Sequence, residues 1–352
     1  MRFIHTADIH LGATPESKMD WAVHRGDEMW GTFERLIKKV KEDEIELLII
    51  AGDLFHRQPL LRELKEVDYL FSTIPDTKVV LCAGNHDAIK KGSFYRNFEW
   101  NKNVYFLDSK TVDCVPIDDL GVDVYGLSYY KNEITEPLYD DIQIKNPYRI
   151  NILVAHGGDD KHIPINKRKI MLEGFDYVAF GHIHDLDEAN RMAYSGSLEP
   201  IDVNEIGPRG FIYGEVTKQN LNIRFQSFSK REYKHAEMTV TTNATNMELR
   251  HTLMEFIEKE GRDNIYKVTI VGYRNPDFDI DLEGLAQVGN VVSVTDRTEP
   301  DYDFEELYER NKDNLLGMFI EKYIDQDVLS PIQQKTLYYG VKALLEAMED
   351  KQ

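Results

Sequence analysis

Residues 2–10 read RFIHTADIH, and this stretch joins a short, apolar, β-branched run directly to Asp8 and His10, two residues that can bind a metal ion. The same pattern returns four times before residue 185. The later stretches read LLIIAGD (47–53), KVVLCAGNHD (78–87), INILVAHG (150–157) and YVAFGHIH (177–184). Short apolar runs of this kind are typical of strands that are buried on both faces. The sequence therefore predicts five buried strands, each of which ends in a residue that can bind a metal ion.

Helical patterns lie between the first three of these strands. Apolar residues form one stripe along Arg25–Lys41, with charged residues opposite, and Leu60–Phe71 has a similar pattern. Strands that alternate with helices predict an α/β layered core. After about Asn103 the apolar runs become shorter, and we expect them to add antiparallel strands to the sheets. These runs are 104–107, 122–126, 193–195, 211–216 and 221–228.

The pattern of the chain changes after residue 234. The later elements that we predict are a helix over 247–260, strands over 266–271 and 291–294, and helices over 304–324 and 332–348. Pro331 separates the last two helices, because proline disfavours helix at the residue before it. The stretch 299–309 contains six acidic residues and no basic residue. We therefore expect a core domain over 1–234, a smaller α+β domain over 235–300, and an acidic linker with C-terminal helices over 301–352.

Charge and hydropathy exclude some classes of protein. The formal net charge is −20, and more than half of it lies after residue 234. A free-standing DNA-binding module usually has a basic surface, so the composition argues against one. No apolar run approaches the ~20 residues that span a bilayer, and the N-terminus has no signal-peptide pattern. We expect a cytoplasmic protein with no membrane partner.

The residues at the strand ends predict a metal centre, provided that these ends share one edge of the sheets. Spacing of i and i+2 in Asp8/His10 and His182/His184 places both side chains of each pair on one face of an extended segment. The candidate ligands are Asp8, His10, Asp53, Asn85, His156, His182 and His184. Oxygen and imidazole ligands without thiolates suit Mn, Fe or Zn. Seven ligands are too many for one tetrahedral ion and divide well between two divalent ions.

Two ions about 3.5–4 Å apart can be bridged by one carboxylate, and a centre of this kind activates water for attack on phosphorus. Asp53 is the natural bridge, because it lies in the middle of the ligand order and follows Gly52. The leaving oxygen needs a proton, and His86, next to Asn85, is well placed to donate it. The alternative is that polar residues follow these strands by chance, and five strand ends together argue against that.

In this order, Asp-x-His, Gly-Asp, Gly-Asn-His-Asp, His-Gly and Gly-His-x-His resemble the calcineurin-like metallophosphoesterase superfamily over residues 1 to about 230. The resemblance implies a two-sheet β-sandwich flanked by helices. It also implies that Asp8, His10, Asp53 and His184 hold one ion. The other ion would be held by Asp53, Asn85, His156 and His182. We expect manganese as the metal, with iron or zinc as alternatives.

Three features are similar to the SbcD family of DNA double-strand-break repair nucleases. They are His56 in GDLFH (52–56), the segment YSGSLEP (194–200) with Gly210-Phe211, and the additional domain after residue 234. The resemblance implies that His56 orients the scissile phosphate, that His86 is needed for cleavage, and that the additional domain caps the site. It also implies DNA as a partner and an SMC-like ATPase of the SbcC type that docks on residues 304–352. A homodimer is a further expectation.

Each of these assignments has an alternative. His56 could cap the helix that begins near Pro59, and the C-terminal helices could pack on the core. The basic and aromatic side chains that follow the ligand motifs are candidates for DNA contacts, or for an ordinary solvated face: Arg57, Lys90, Lys91, Tyr95 and Arg96. The leading hypothesis is a metal-dependent DNA exonuclease, with endonuclease activity left open. The alternative is a phosphodiesterase or phosphomonoesterase that acts on a small molecule such as a cyclic nucleotide.

Overall fold

The computed structural model of the protein describes residues 1–324 and 328–349. Its strands are β1 (Arg2–Thr6), β2 (Leu47–Ala51), β3 (Lys78–Cys82), β4 (Val104–Phe106), β5 (Asp113–Ile117), β6 (Val122–Gly126), β7 (Ile150–His156), β8 (Tyr177–Gly181), β9 (Asp187–Ala189), β10 (Met192–Tyr194), β11 (Gly210–Val216), β12 (Leu221–Ser227), β13 (Tyr233–Val240), β14 (Ile265–Arg274), β15 (Val291–Asp296) and β16 (Glu299–Pro300). Its α-helices are α1 (Arg25–Glu42), α2 (Leu61–Ser72), α3 (Lys167–Glu173), α4 (Asn246–Glu260), α5 (Leu282–Ala286), α6 (Phe304–Asn311), α7 (Leu315–Ile324) and α8 (Pro331–Glu349). Single 3₁₀ turns cover Asp20–Ala22, Phe94–Asn97 and Asp118–Leu120.

The chain forms two compact units. The first contains residues 1–235 and 261–267, and the second contains residues 236–260 and 268 onward. None of the helices within the described ranges has both the length and the apolar composition of a membrane span. The three-part division at residues 234 and 300 stays a prediction.

The first unit is a sandwich of two six-stranded sheets. The strand order is β12-β11-β1-β2-β3-β4 in one sheet and β5-β6-β7-β8-β10-β9 in the other. Apolar side chains of both sheets, among them Phe3, Ile49 and Val154, pack into one buried core between them. Helices α1 and α2 pack on the outer face of the first sheet, and Ile170 of α3 packs on the outer face of the second. The expected two-sheet sandwich flanked by helices is confirmed.

The five predicted strands are β1, β2, β3, β7 and β8, and they are buried along almost all of their length. β1 pairs in parallel with β2, β2 with β3, and β7 with β8. The carboxyl ends of parallel neighbours lie at the same edge of a sheet. Within each sheet, the parallel pairing therefore places the candidate ligands at one edge.

The expectation that the shorter runs add antiparallel strands is wrong for β4, and it holds for only one of the two neighbours of β6 and of β10. β4, β6 and β10 pair in parallel with β3, β7 and β8 respectively. β6 also pairs in antiparallel fashion with β5, and β10 with β9, while β11 pairs in antiparallel fashion with both β1 and β12. Alternation of apolar and polar residues indicates that one face of a strand is exposed. It does not indicate whether the neighbouring strand is parallel or antiparallel.

Helix α1 carries a buried charged cluster beside its apolar stripe. Glu28 accepts hydrogen bonds from Arg25 (3.0 Å), Lys230 (2.9 Å) and Arg231 (2.7 Å), and we call these four residues the Glu28 cluster. Burial would raise the pKa of the Glu28 carboxyl, but the hydrogen bonds from the three cations lower it to about 2. The cluster ties α1 to the segment that leads into β13, and it neutralises a carboxylate that is costly to bury alone.

The second unit contains the sheet β13-β14-β15, with β16 paired to β14. The predicted helix over 304–324 is two helices, because α6 ends at Asn311 and Asn314 begins a new helix, α7. The Oδ1 atom of Asn314 accepts hydrogen bonds from the backbone N–H groups of Leu316 (2.9 Å) and Gly317 (3.2 Å), which is the role of an N-cap. Helix α8 begins with Pro331, a favoured first residue. Residues 325–327 and 350–352 of the predicted C-terminal segment lie outside the described residues.

Candidate metal centre

The loops after β1 and β2 are joined by backbone hydrogen bonds. The N–H of Asp8 donates to Gly52 O (3.2 Å), and the N–H of His10 donates to Asp53 O (3.0 Å). Asp8, His10, Asp53 and His182 all have positive φ angles, of 49°, 51°, 50° and 93°. Non-glycine residues rarely adopt this conformation, and such strained positions cluster at functional sites. Four of the seven candidate ligands therefore have backbones fixed in an unfavourable conformation.

One part of the cluster contains Asp53, Asn85, His156 and His182. The Nε2 atom of His156 lies 2.9 Å from Asn85 Oδ1 and 3.4 Å from Asp53 Oδ2. Asn85 Oδ1 also lies 3.2 Å from His182 Nδ1. The Nδ1–H of His156 donates to Ala51 O (2.9 Å), so Nε2 faces the two oxygens with its lone pair when the ring is neutral. Four acceptor atoms thus converge on a small volume.

The other part of the cluster contains Asp8, His10 and His184. The Nε2 atoms of the two histidines face each other at 3.1 Å, and His184 Nε2 lies 3.8 Å from Asp8 Oδ1. Asp8 is fully buried, and its Oδ1 atom has no hydrogen-bond partner among the described residues. Its Oδ2 atom accepts from the N–H of His182 (2.9 Å), which links the two parts. The ligand atoms of Asp8, Asp53 and His156 lie within 4.8 Å of one another.

Neighbouring carboxylates raise the pKa of two ligand histidines, whereas burial lowers the pKa of His182 to about 4. Burial lowers the pKa of His156, but the neighbouring Asp53 carboxylate outweighs burial and raises it to about 9. Burial likewise opposes protonation of His184, yet Glu205 and Asp8 raise its pKa to about 9. For Asp53 the order is reversed, since burial would raise the pKa and the surrounding histidines hold it well below its usual range. A cation, either a proton or a metal ion, stabilises this arrangement.

His86 and His56 lie beside the cluster. The backbone N–H of His86 donates to Asp53 Oδ1 (2.9 Å), and its Nδ1–H donates to the backbone oxygen of His56 (3.0 Å). The rings of His56 and His86 stack with centroids 5.1 Å apart, and each lies close to His10, at 5.3 and 4.8 Å. Helix α2 begins at Leu61 and its first turn is capped by Glu63, which accepts from the N–H of Leu60 (2.8 Å). His56 is therefore not the cap of that helix.

Two glycines leave room for the ligands. A Cβ atom on Gly52 would lie 2.3 Å from His156 Nδ1, and one on Gly84 would lie 2.2 Å from Asp53 Oδ1. Gly52 also has a φ of +90°, a conformation that only glycine adopts without strain. The Gly-Asp and Gly-Asn-His-Asp motifs thus require glycine because the ligand side chains occupy the space of a Cβ atom.

The donor set fits divalent metal ions. The converging atoms are carboxylate and amide oxygens and imidazole nitrogens, which bind Mn, Fe and Zn. Asp8 Oδ1 is a buried acceptor with no donor among the described residues, and His156 Nε2 faces the oxygens of Asn85 and Asp53. Buried acceptors without donors are costly, and a cation removes that cost.

The sequence model of one protein family, Calcineurin-like phosphoesterase, matches residues 1–186, which is more than half of the chain. The chain belongs to the calcineurin-like phosphoesterase family. The resemblance drawn from the five motifs is confirmed at the level of the family.

Curated relatives of this calcineurin-like phosphoesterase include proteins named for DNA repair. The DNA double-strand break repair protein Mre11 of Methanocaldococcus jannaschii is 30% identical over 220 residues, 58% of this chain and 58% of that protein. The Mre11 protein of Methanopyrus kandleri is 28% identical over 234 residues, 58% of this chain and 50% of its own length. The uncharacterized metallophosphoesterase YhaO of Bacillus subtilis is 24% identical over 280 residues, 72% and 67% of the two chains. The chain thus spans about half to two thirds of the length of these relatives.

The candidate DNA contacts of this calcineurin-like phosphoesterase differ in exposure. Lys91 and Arg96 are exposed and Lys90 is half-buried, so their charges can reach solvent. Arg57 is half-exposed and forms a two-pronged ion pair with Glu63 (2.6 and 3.0 Å). Tyr95 is only 3% exposed, which corrects the expectation of a direct contact. Tyrosine favours a buried position when its hydroxyl group has a hydrogen-bond partner.

Tyr95 instead supports a buried carboxylate, Asp87. The hydroxyl of Tyr95 donates to Asp87 Oδ2 (2.9 Å), which also accepts from the N–H of Phe55 (3.2 Å). Asp87 Oδ1 accepts from the N–H of Gly84 (2.8 Å). Burial and the nearby Asp53 charge raise the pKa of Asp87 to about 7. The last residue of the Gly-Asn-His-Asp motif therefore holds the loops after β2 and β3 together.

Two carboxylates at the site were missed by the sequence reasoning. Asp159 Oδ2 accepts from His182 Nε2–H (2.8 Å), and Glu205 Oε1 accepts from His184 Nδ1–H (2.5 Å). Asp159 lies three residues after His156, so its position close to a ligand motif was a usable signal. Glu205 lies 21 residues after His184 in an irregular segment, and no local pattern marks it.

Proposed function

We propose that the chain is a metal-dependent DNA exonuclease that hydrolyses phosphodiester bonds with a water molecule activated between two divalent metal ions. The observation that supports it best is the convergence of all seven candidate ligands at the carboxyl ends of β1, β2, β3, β7 and β8. When bound, the ions would neutralise the phosphate oxygens and make water a nucleophile near neutral pH. Manganese stays the expected metal, with iron or zinc as alternatives.

The ligands divide between two positions in this proposal. Asp8, His10 and His184 would hold one ion, and Asn85, His156 and His182 would hold the other. Asp53 would be shared, since its carboxylate lies within reach of both Asp8 and His156. The hydrogen bonds from His156 to Ala51 O and from the N–H of His86 to Asp53 fix these side chains before substrate arrives. Fixed groups of this kind need no reorganisation during the reaction.

His86 would donate the proton that the leaving oxygen requires. Its Nδ1–H is committed to the backbone oxygen of His56, which leaves Nε2 to exchange a proton with substrate. His56 stacks on His86 and lies beside His10, so a scissile phosphate at the centre would be within its reach. His56 would therefore orient the phosphate.

The choice of DNA as substrate rests on the relatives and on the motifs. Two of the relatives described above are named as DNA double-strand break repair proteins, and His56 and the segment 194–200 are similar to repair nucleases of the SbcD type. Lys90, Lys91, Arg96 and Arg57 follow ligand motifs and would contact the DNA backbone, which is the usual partner of such side chains. Endonuclease activity would belong to the same site.

We also propose the partners and the location that the resemblance implies. The C-terminal helices would dock an SMC-like ATPase of the SbcC type. Leu315, Met318 and Ile332 of these helices are 67, 60 and 79% exposed, and their apolar side chains would supply contact area. A capping role for the domain after residue 234, a homodimer and a cytoplasmic location stay predictions.

The test is degradation of linear DNA by the pure protein with Mn²⁺. We expect wild-type protein to release nucleotides and His86→Ala to lose at least ~100-fold in rate, since general acid catalysis contributes about that much. His24→Ala is the matched control, because His24 is exposed in the turn before α1. Absence of nucleolysis with Mn²⁺, Fe²⁺ or Zn²⁺, with and without a partner ATPase, would refute the proposal.

Activity on small phosphoesters distinguishes a DNA nuclease from the alternative, a small-molecule phosphoesterase. Rates on bis-p-nitrophenyl phosphate, p-nitrophenyl phosphate and cyclic nucleotides are compared with the rate on DNA under the same conditions. A strong preference for one small substrate, with DNA left intact, would identify a small-molecule phosphoesterase.

A further inference from the structure

The two histidines of the motif Gly181-His182-x-His184 present opposite ring nitrogens to the metal centre. His182 directs Nδ1 to Asn85 Oδ1, at 3.2 Å, while His184 directs Nε2 to His10 and Asp8. In each ring the second nitrogen donates to a carboxylate outside the ligand motifs. Asp159 accepts from Nε2–H of His182, and Glu205 accepts from Nδ1–H of His184. These contacts place the proton on Nε2 of His182 and on Nδ1 of His184, so the two rings are different tautomers.

Asp159 is itself held by the turn that follows β7. Its Oδ1 atom accepts from the backbone N–H groups of Lys161 (2.8 Å) and His162 (2.9 Å). The ring of His162 donates to the same carboxylate (2.9 Å). These contacts hold the carboxylate in place, and its Oδ2 atom is directed to His182.

Glu205 is held by a separate segment, between β10 and β11. Its Oε2 atom accepts from the N–H of Ile201 (2.9 Å), and its side chain is only 12% exposed. The start of this segment is tied to α1, because Arg25 donates to Pro200 O (2.8 Å). Arg25 also belongs to the Glu28 cluster, so the start of the segment that holds Glu205 is anchored to α1.

We infer that Asp159 and Glu205 are positioning residues that assign His182 to one metal position and His184 to the other. The inference rests on the metal centre proposed above. Side chains at i and i+2 on one face of an extended segment lie close together, so their spacing alone does not decide which ring nitrogen faces which position. A carboxylate that accepts from one ring nitrogen fixes the tautomer and the rotation of the ring and raises the basicity of the other nitrogen.

Metal binding by calorimetry tests the assignment without any substrate. Wild-type protein titrated with Mn²⁺ should bind two ions. Asp159→Ala should weaken one binding event about 10–100-fold, and Glu205→Ala should weaken the other by a similar factor. Asp159→Asn and Glu205→Gln should recover most of the affinity, because an amide oxygen still accepts from the ring N–H. Asp160→Ala and Glu215→Ala are the controls, because they remove exposed carboxylates, one next to Asp159 and one in β11. Both variants should bind two Mn²⁺ ions with the affinity of the wild type.

A spectroscopic measurement reports the tautomers directly. In Zn²⁺-loaded protein with ¹⁵N-labelled histidine, long-range proton–nitrogen correlations should place the proton on Nε2 of His182 and on Nδ1 of His184. The same tautomer on both rings would overturn the inference. Thermal unfolding of the metal-free alanine variants should match that of wild type, since a positioning role does not require a change in the fold.

The outcomes separate this inference from the proposal on which it rests. A wild-type protein that binds neither Mn²⁺ nor Zn²⁺ would overturn both. Two ions in the wild type together with unchanged binding in both alanine variants would overturn the inference alone. Loss of both ions in each alanine variant, with a lowered Tm in the absence of metal, would identify a general role in folding and would also overturn the inference.

Discussion

Gly84→Ala is the substitution whose effect the structure defines most closely. A Cβ atom at residue 84 would lie 2.2 Å from Asp53 Oδ1 and 2.7 Å from the backbone nitrogen of Asp53. An ordinary contact needs about 3.5 Å, so one of the two loops must move by about 1 Å. The loops cannot separate easily, because the N–H of Gly84 donates to Asp87 and the N–H of His86 donates to Asp53. The movement therefore displaces the proposed bridging carboxylate.

The magnitude follows from the displacement. Misplacement of a catalytic group by about 1 Å can reduce the rate about 100-fold, and overpacking of a dense interior costs about 1–3 kcal/mol of unfolding free energy. We expect Gly84→Ala to lower kcat/KM for bis-p-nitrophenyl phosphate about 100-fold in Mn²⁺ and to lower the urea midpoint. Affinity for Mn²⁺ should fall as well, because Asp53 would leave its position between the two parts of the centre.

Gly92→Ala is the matched control. Residue 92 lies eight positions further along the chain, and a Cβ atom there would meet nothing within 4 Å. This variant should keep the activity and the stability of wild type. If Gly84→Ala has the same kcat/KM and Mn²⁺ affinity as Gly92→Ala, then the close packing of Gly84 against Asp53 does not control the site, and the reasoning is refuted.

Three further predictions concern the Glu28 cluster, Tyr95 and the metal. Glu28→Gln should lower the unfolding free energy by about 1–3 kcal/mol at pH 7, measured with urea, because the buried Arg25 and the partly buried Arg231 lose a charged hydrogen-bond partner. The pKa of Glu28 is lowered from 4.5 to about 2, so its contribution to the unfolding free energy is complete above pH 4.5 and is lost as the pH falls to about 2. Over this pH range the urea midpoint of the wild type should fall more steeply than that of Glu28→Gln. Parallel curves for the two proteins would contradict this. Tyr95→Phe should lower the unfolding free energy by about 1–2 kcal/mol, since the Asp87 carboxylate loses one of its buried hydrogen-bond donors. The affinity of this variant for DNA should equal that of the wild type. Weaker DNA binding at equal stability would show that Tyr95 contacts DNA. Addition of Mn²⁺ at 100 times its Kd should stabilise the native protein by about 2.7 kcal/mol and raise Tm, and His156→Ala should abolish this rise; an equal rise in that variant would place the bound ions elsewhere.

Much of the core was predictable because burial leaves a local signature. A strand that is covered on both faces must be apolar throughout, so β2 and β8 could be identified as short apolar runs. The apolar stripe of α1 was visible for the same reason, since one helix face packs on the first sheet. The loops that follow these strands were predictable from their glycines and ligand residues, which lie next to each other in sequence.

Features that depend on distant partners were not predictable from the sequence. The break between α6 and α7 depends on one asparagine, whose amide competes with the helix for backbone donors. The direction of β6 depends on its neighbour β7, which follows after a long irregular connection. Tyr95 was assigned to the surface because it lies among basic residues, but its hydroxyl finds the buried Asp87 and its ring packs in the core.

The sequence by itself determined the five buried strands and the seven candidate ligands at their ends, and the order of these motifs implied the family and its sandwich of two sheets. It did so because ligands at strand ends are adjacent to the apolar runs that carry them to one edge. Only the tertiary structure decided which nitrogen of each histidine faces the centre. That choice depends on hydrogen bonds from His156 to Ala51, from His182 to Asp159 and from His184 to Glu205. These partners come from other segments, and no local pattern fixes the angle at which they meet.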